Sequence, residues 1–327
     1  MSPESTAGPQ TPVDEADDCA IELDTMSPPA LRALLANSID YAGLFPPADL
    51  ALGPALTNHA AYVRSSDRWM LGTFVLPVGK FSEAHPLLGQ FDKENPLQIS
   101  ALGAKTSKPA DFRVELEKAA KSIKELQAQH NDAVAITQFE MPLPTGPVDA
   151  SLATARALLG DLALKIFWEA PADAAAKTIE ALSGSGAGFK LRTGGVTKEA
   201  FPSTAQIARA LVAAAKHRVP IKFTAGLHHP VRHFHASVET TMHGFLNVLG
   251  AGVLAAEHRW SKARTQEMLG DDDANSFVFD DEMFQWRDWK ISTAQIAQRR
   301  QLITSLGSCS FDEPRDDLRA LGLFQGS

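Results

Sequence analysis

Two short segments alternate charged side chains with large apolar ones. The first is Gly188-Phe189-Lys190-Leu191-Arg192-Thr193-Gly194-Gly195 and the second is Pro220-Ile221-Lys222-Phe223-Thr224-Ala225-Gly226. In an extended chain, residues two apart share a face. Lys190 and Arg192 therefore project one way while Phe189 and Leu191 project the other. Lys222 and Thr224 stand in the same relation to Ile221 and Phe223. Two further runs, Gln138-Phe139-Glu140 and Phe167-Trp168-Glu169, end in carboxylates. If these four segments surround one hollow, three cations and two carboxylates converge there beside Gln138. Charges withdrawn from water are costly unless they pair or hold a ligand. Burial next to other cations lowers a lysine's pKa, and a neutral amine is the nucleophile that attacks a carbonyl. The planar fork of Arg192 suits a carboxylate held through two hydrogen bonds. Thr193-Gly194-Gly195 offers backbone N–H groups to an anion, since glycine permits close approach. The chemistry expected is that of a small anionic carbonyl metabolite, with Glu140 or Glu169 moving protons.

Such a hollow needs a scaffold, and the rest of the chain supplies one. Apolar runs of strand length cover Ser38–Phe45, Trp69–Val78, Leu97–Ala104, Ala133–Pro142, Leu164–Ala170, Gly188–Gly194, Ile221–Gly226 and Ser276–Asp281. Helical patterns fall at Thr57–Arg64, Glu83–Phe91, Phe112–Gln129, Asp149–Leu159, Ala172–Leu182, Thr204–Lys216, Val238–Glu257 and Thr293–Leu306. Strands alternating with helices predict parallel pairing through right-handed crossovers. Eight units predict a single-domain (β/α)8 TIM barrel over residues 29–327, with a C-terminal helical extension, behind a disordered acidic tail over residues 1–28. An open doubly wound sheet would carry a glycine-rich phosphate turn after its first strand. Here Gly43-Leu44-Phe45-Pro46-Pro47 places two prolines at that point. Barrel enzymes keep their chemistry at the carboxyl ends of the strands, which is where the charged residues fall.

The run from Phe189 to Gly195, a helix, and then Lys222-Phe223-Thr224-Ala225-Gly226-Leu227 resembles strands six and seven of the class I deoxyribose-phosphate aldolase barrels. The resemblance implies that Lys190 forms a Schiff base. It implies that Lys222 depresses the pKa of Lys190, and that a strand-end carboxylate such as Glu140 shuttles protons. The chain departs from that pattern after strand seven. Gly226-Leu227-His228-His229-Pro230 stands where those aldolases have a Gly-Gly phosphate turn, which points away from a sugar phosphate.

Six of the ten histidines lie between residues 228 and 258. His228 and His229 directly follow strand seven. Imidazole is a common ligand for divalent transition metals, and Glu140, Glu169 or Asp40 would complete a nitrogen–oxygen site. The alternative readings are helix-capping or hydrogen-bonded loop histidines, or acid–base catalysis without metal. The acidic run Asp271-Asp272-Asp273 lacks the oxygen spacing of a calcium loop.

Composition sets the outer limits. A formal net charge of -8 repels phosphate, which argues against nucleic-acid partners,. No apolar run reaches the 18 or so residues of a membrane span. Met1 to Asp18 has no cationic start and no apolar stretch, so a cytoplasmic location is expected. Two cysteines, Cys19 and Cys309, supply no disulfide framework,. Three functions fit: a lyase acting through a barrel lysine and needing no cofactor, a divalent-metal lyase or hydrolase at His228 and His229, or a barrel used only for binding or assembly. Self-association into a homo-oligomer is compatible with each.

Overall fold

The computed structural model describes residues 27–130 and 132–324. Cys19 and all but the last two residues of the expected 1–28 tail lie outside the described residues.

Eight parallel strands close into a barrel. They are β1 (Ile39–Tyr41), β2 (Leu71–Pro77), β3 (Leu97–Leu102), β4 (Val134–Pro142), β5 (Lys165–Glu169), β6 (Gly188–Arg192), β7 (Ile221–Thr224) and β8 (Ile303–Ser308). Each pairs with its sequence neighbour except that β8 also pairs with β1, and this last pairing shuts the ring. Helices pack around it. Pro109–His130 buries Phe112, Leu116, Ala119, Ile123 and Leu126, an apolar stripe at helical spacing,. Thr204–His217 starts cleanly because Ser203 and Gln206 form a reciprocal capping box,. Phe245–His258 is apolar over most of its surface and is buried from Phe245 to Ala255.

The strand parity follows the side-chain chemistry. Phe189, Leu191, Ile221 and Phe223 are fully buried on the helix side, each worth roughly 1.5–3 kcal/mol of transfer from water. That apolar anchoring turns Lys190 and Lys222 toward the barrel axis. A one-residue slip would send both lysines into the helix layer.

The eighth strand differs from the sequence expectation. Phe277–Phe279, within the expected strand Ser276–Asp281, pairs antiparallel with Met283–Trp286, which pairs with Trp289–Ser292. These three strands form a separate sheet outside the barrel. The true closing strand, Ile303–Ser308, lies partly inside the helix expected over Thr293–Leu306, which ends at Arg299. Its Ile-Thr-Ser-Leu-Gly-Ser run is too polar to read as buried strand from the sequence. Ser305 is explained by the interior: its Oγ donates to Asp40 Oδ2 at 2.7 Å. The helix expected over Val238–Glu257 likewise starts only at Phe245, because Thr240–Met242 pairs antiparallel with His233–His235. Among the described residues, no helix is long and apolar enough to cross a membrane.

Candidate active site

β5, β6 and β7 are in register so that Glu169 neighbours Lys190, and Lys190 neighbours Lys222. Their inward side chains meet Glu140 from β4 and Asp40 from β1. Lys222 Nζ lies 2.8 Å from Asp40 Oδ2, 2.5 Å from Glu140 Oε1 and 2.9 Å from the Gln138 side-chain oxygen. An ammonium has three N–H donors, so these three acceptors occupy it fully. Lys190 Nζ lies 3.0 Å from Glu140 Oε2 and 2.8 Å from Glu169 Oε2. Glu140 thus bridges the two lysines with its two oxygens, and Ser100 Oγ donates to it at 2.5 Å. Asp40 Oδ1 accepts from the Thr73 backbone N–H and from Thr73 Oγ1, each at 2.8 Å. Gly72 permits that placement: a Cβ there would lie 2.4 Å from Asp40 Oδ1.

With Arg192, whose Nε is 3.7 Å from Glu169 Oε1, the layer holds three cations and three carboxylates. It is electrically balanced. Burial by itself would raise the Glu140 carboxyl, but the ammoniums of Lys222 and Lys190 and the hydrogen bonds from Lys222 and Ser100 outweigh it. The group is held well below the usual carboxylate range. Burial by itself would lower Lys222, but Asp40 and Glu140 in direct contact raise it. The depressed pKa expected from clustered cations does not describe Lys222, because carboxylates stand closer to it than any other cation does. At an effective dielectric near 20, a unit pair about 3 Å apart gains roughly 5 kcal/mol. Desolvation removes several kcal/mol per ion.

A cavity of about 300 Å³ opens at the carboxyl ends of the strands. Glu140, Lys190, Arg192, Gly195, Thr224 and His228 line it, against an apolar wall that includes Phe45, Pro46, Val75 and Leu102. Lys222 and Gln138 are not in its lining; they sit beneath it, bonded to each other. Glu169, which contacts both Lys190 and Arg192, is not in the lining either. Gly194 serves close packing: a Cβ there would fall 2.7 Å from the Cα of Gly226. Gly226 itself has φ +74°, a conformation that favours glycine. The Thr193 hydroxyl donates to the Ala225 carbonyl at 2.6 Å and ties the ends of β6 and β7 together. A larger hollow, about 800 Å³, lies by Lys216, Arg218, Pro220 and Leu302. It adjoins the amino ends of β7 and β8 and includes none of the residues expected to act, so size alone does not mark the site.

The two histidines after β7 share one acidic neighbour, Glu313, but differ in their other partners. His228 lines the cavity, and its Nδ1 lies 3.2 Å from Glu313 Oε2 and 3.8 Å from Cys309 Sγ. Burial pulls His228 down, but the hydrogen bonds to Cys309 and Glu313 carry it up to about 9. His229 instead bonds through Nδ1 to Asp317 Oδ2. Both acidic partners come from the helix Asp312–Ala320. The carboxylates expected to join a histidine–metal site, Asp40 and Glu140, are committed to lysines, and so is Glu169. Sequence reasoning passed over Glu313, Asp317 and Ser100 and treated Asp40 only as a metal ligand. Asp40 had a usable signal, its central position in a short apolar strand; Glu313 and Asp317 had none once the eighth strand was misplaced.

No protein-family profile and no curated protein matches this sequence. Among solved structures, Haloferax volcanii malate synthase in its magnesium/glyoxylate complex is 9% identical with a TM-score of 0.39, over 80% of this chain and 73% of that one. The same enzyme in its native form at 3 mM glyoxylate is 11% identical with a TM-score of 0.41, over 88% and 79%. Atrazine chlorohydrolase from Arthrobacter aurescens complexed with zinc is 10% identical with a TM-score of 0.28, over 59% and 54%. Likenesses this shallow carry no functional weight. The barrel rests on its own closed strand order.

Proposed function

We propose that this chain is a lyase of the aldolase type, which binds a small anionic carbonyl compound and forms a Schiff base with it through Lys190. One observation carries the reading. Of the two buried lysines, Lys190 lines the cavity at the barrel mouth, whereas Lys222 lies beneath it with every donor engaged.

The proposed sequence uses groups already in contact. Lys190 passes a proton to Glu169 Oε2, 2.8 Å away, and the free amine adds to the substrate carbonyl carbon. The resulting carbinolamine takes a proton back on its hydroxyl and leaves water, giving an iminium. Glu140 and Glu169, placed against the Lys190 nitrogen, stabilise that positive charge. The iminium accepts the electron pair released when a neighbouring carbon–carbon bond or carbon–hydrogen bond breaks. In the first case a carboxylate removes the proton of the β-hydroxyl and the second carbonyl fragment departs; in the second case a carboxylate removes the carbon-bound proton. Either way an enamine forms, takes a proton at carbon from the carboxylic acid, and the restored iminium is hydrolysed by water, which releases the product carbonyl and Lys190. Lys222 acts as a positioning residue, since it fixes the Glu140 oxygen that faces away from Lys190. Arg192, half-exposed at the rim, holds the substrate carboxylate, and Thr224 faces the same space.

Proton exchange tests this reading without knowledge of the natural substrate. Small 2-oxo acids bearing α-hydrogens, incubated with the protein in deuterated water, are followed by proton NMR. The expected result is enzyme-dependent loss of the α-hydrogen signal for at least one compound, abolished in Lys190→Met. Exchange by Lys190→Met at the wild-type rate would overturn the assignment.

A further inference from the structure

The loop after β7 contains His229-Pro230-Val231-Arg232-His233-Phe234-His235 and leads into the hairpin formed by His233–His235 and Thr240–Met242. His233 and His235 are two apart on a strand and share a face. Phe234 takes the other face and is exposed. The ring of His229 closes on the pair, with centroids 4.1 Å from His233 and 5.9 Å from His235. One ligating atom from each imidazole lies within 4.8 Å of the other two.

The remaining hydrogen bonds decide which nitrogens are available. His229 Nδ1 bonds to the Asp317 carboxylate. His233 Nδ1 lies 3.2 Å from the Val231 carbonyl, which accepts its N–H. His235 Nδ1 lies 2.8 Å from Ser237 Oγ. The carboxylate and the carbonyl only accept, so Nδ1 of His229 and of His233 carries the proton and Nε2 the lone pair. The Ser237 hydroxyl accepts as well as donates, so His235 is free to adopt the same tautomer,. His233 Nε2 is buried and has no hydrogen-bond partner. A buried acceptor left unpaired is costly. A cation held between the three rings relieves that cost.

We propose that His229, His233 and His235 form a binding site for a divalent ion of the zinc class, held through their three Nε2 atoms. Oxygen-seeking magnesium and calcium do not suit an all-imidazole set. Zinc bonds of 2.0–2.1 Å in a tetrahedron need ligand nitrogens roughly 3.3 Å apart, a short closure from the arrangement present. Glu313 Oε1, 3.8 Å from His229 Nε2, is within reach of the fourth position, which water also fits. Asp317 supplies the outer carboxylate that orients a ligating histidine. Asp317 supplies one compensating negative charge, and Glu313 is shared between the ion and His228. Bound there, the ion ties the loop that follows β7 to the helix Asp312–Ala320, beside the cavity-lining His228. The site is separate from Lys190, and the proposal does not depend on imine chemistry.

The test uses the full chain, stripped with a chelator and titrated calorimetrically with zinc chloride, with cobalt(II) absorption as a second readout. The expected result is saturable binding of one ion per chain and a tetrahedral cobalt spectrum. His233→Ala and His235→Ala should each weaken binding at least about 100-fold, and Asp317→Asn about 10–100-fold. Lys190→Met should bind zinc as the wild type does, which separates this site from the proposed reaction. Absence of saturable binding would overturn the proposal. So would zinc affinity retained in both histidine variants, since the ion would then sit elsewhere.

Discussion

Replacing Glu140 by Gln keeps its shape and removes the one carboxylate that touches both buried lysines. The wild-type layer balances Lys190, Lys222 and Arg192 against Asp40, Glu140 and Glu169. The variant leaves three cations facing two carboxylates. The lost contacts, at 2.5 and 3.0 Å, are each worth roughly 5–7 kcal/mol at an effective dielectric near 20. Part of that returns because Glu140 no longer needs to be desolvated. Breaking a buried pair from one side typically destabilises by about 3–5 kcal/mol, so Glu140→Gln should lower Tm by roughly 6–15 °C. Adding Lys222→Met removes the unmatched cation and restores balance between two charges of each sign. The double variant should then recover about 2 kcal/mol or more relative to the sum of the single effects. Chemical denaturation of the four proteins at neutral pH measures this coupling. Additive effects, or a Glu140→Gln variant within about 1 kcal/mol of wild type, would refute the claim that the layer is a single balanced network.

Two further outcomes follow from neighbouring groups. Arg192→Met should raise KM for an anionic carbonyl substrate about 10–100-fold with a smaller fall in kcat, because a rim anchor binds substrate and transition state alike; steady-state kinetics with an equal loss confined to kcat would contradict that role. His59, stacked on Tyr41 in the core with no partner for Nδ1, is lowered by burial from its ordinary 6.5 to about 3. Below pH 6.5 the unfolded chain binds a proton that the folded chain refuses, so the stability His59 gives above that pH is lost as the pH falls toward 3. His59→Phe should remove up to about 1.4 kcal/mol per pH unit from the acid slope between pH 6 and 4, read from urea midpoints; identical slopes would refute the buried neutral imidazole.

Strand parity made much of the site legible in the sequence. Phe189, Leu191, Ile221 and Phe223 had one physical destination, the helix layer, and that fixed where Lys190 and Lys222 point. Glu140 and Glu169 were readable for the same reason, at the ends of apolar runs. The closing strand was not, because Ser305, Gly307 and Ser308 look like loop until their partners are seen. A C-terminal helical extension was expected, but without the closing strand nothing placed the helix Asp312–Ala320 at the barrel mouth, where Glu313 and Asp317 meet His228 and His229. Which histidines gather was also beyond periodicity. The loop after β7 folds His229 back onto His233 and His235 through a hairpin too short and polar to declare itself.

The central claim is that Lys190 becomes covalently bonded to a carbonyl substrate. Borohydride added during incubation with a panel of 2-oxo acids and aldehydes reduces any imine to a stable amine, and peptide mass mapping locates it. The account predicts the mass gain of one reduced adduct on the peptide carrying Lys190, with Lys222 unmodified. Labelling of Lys222 instead, or an unlabelled Lys190 across the whole panel, would contradict it.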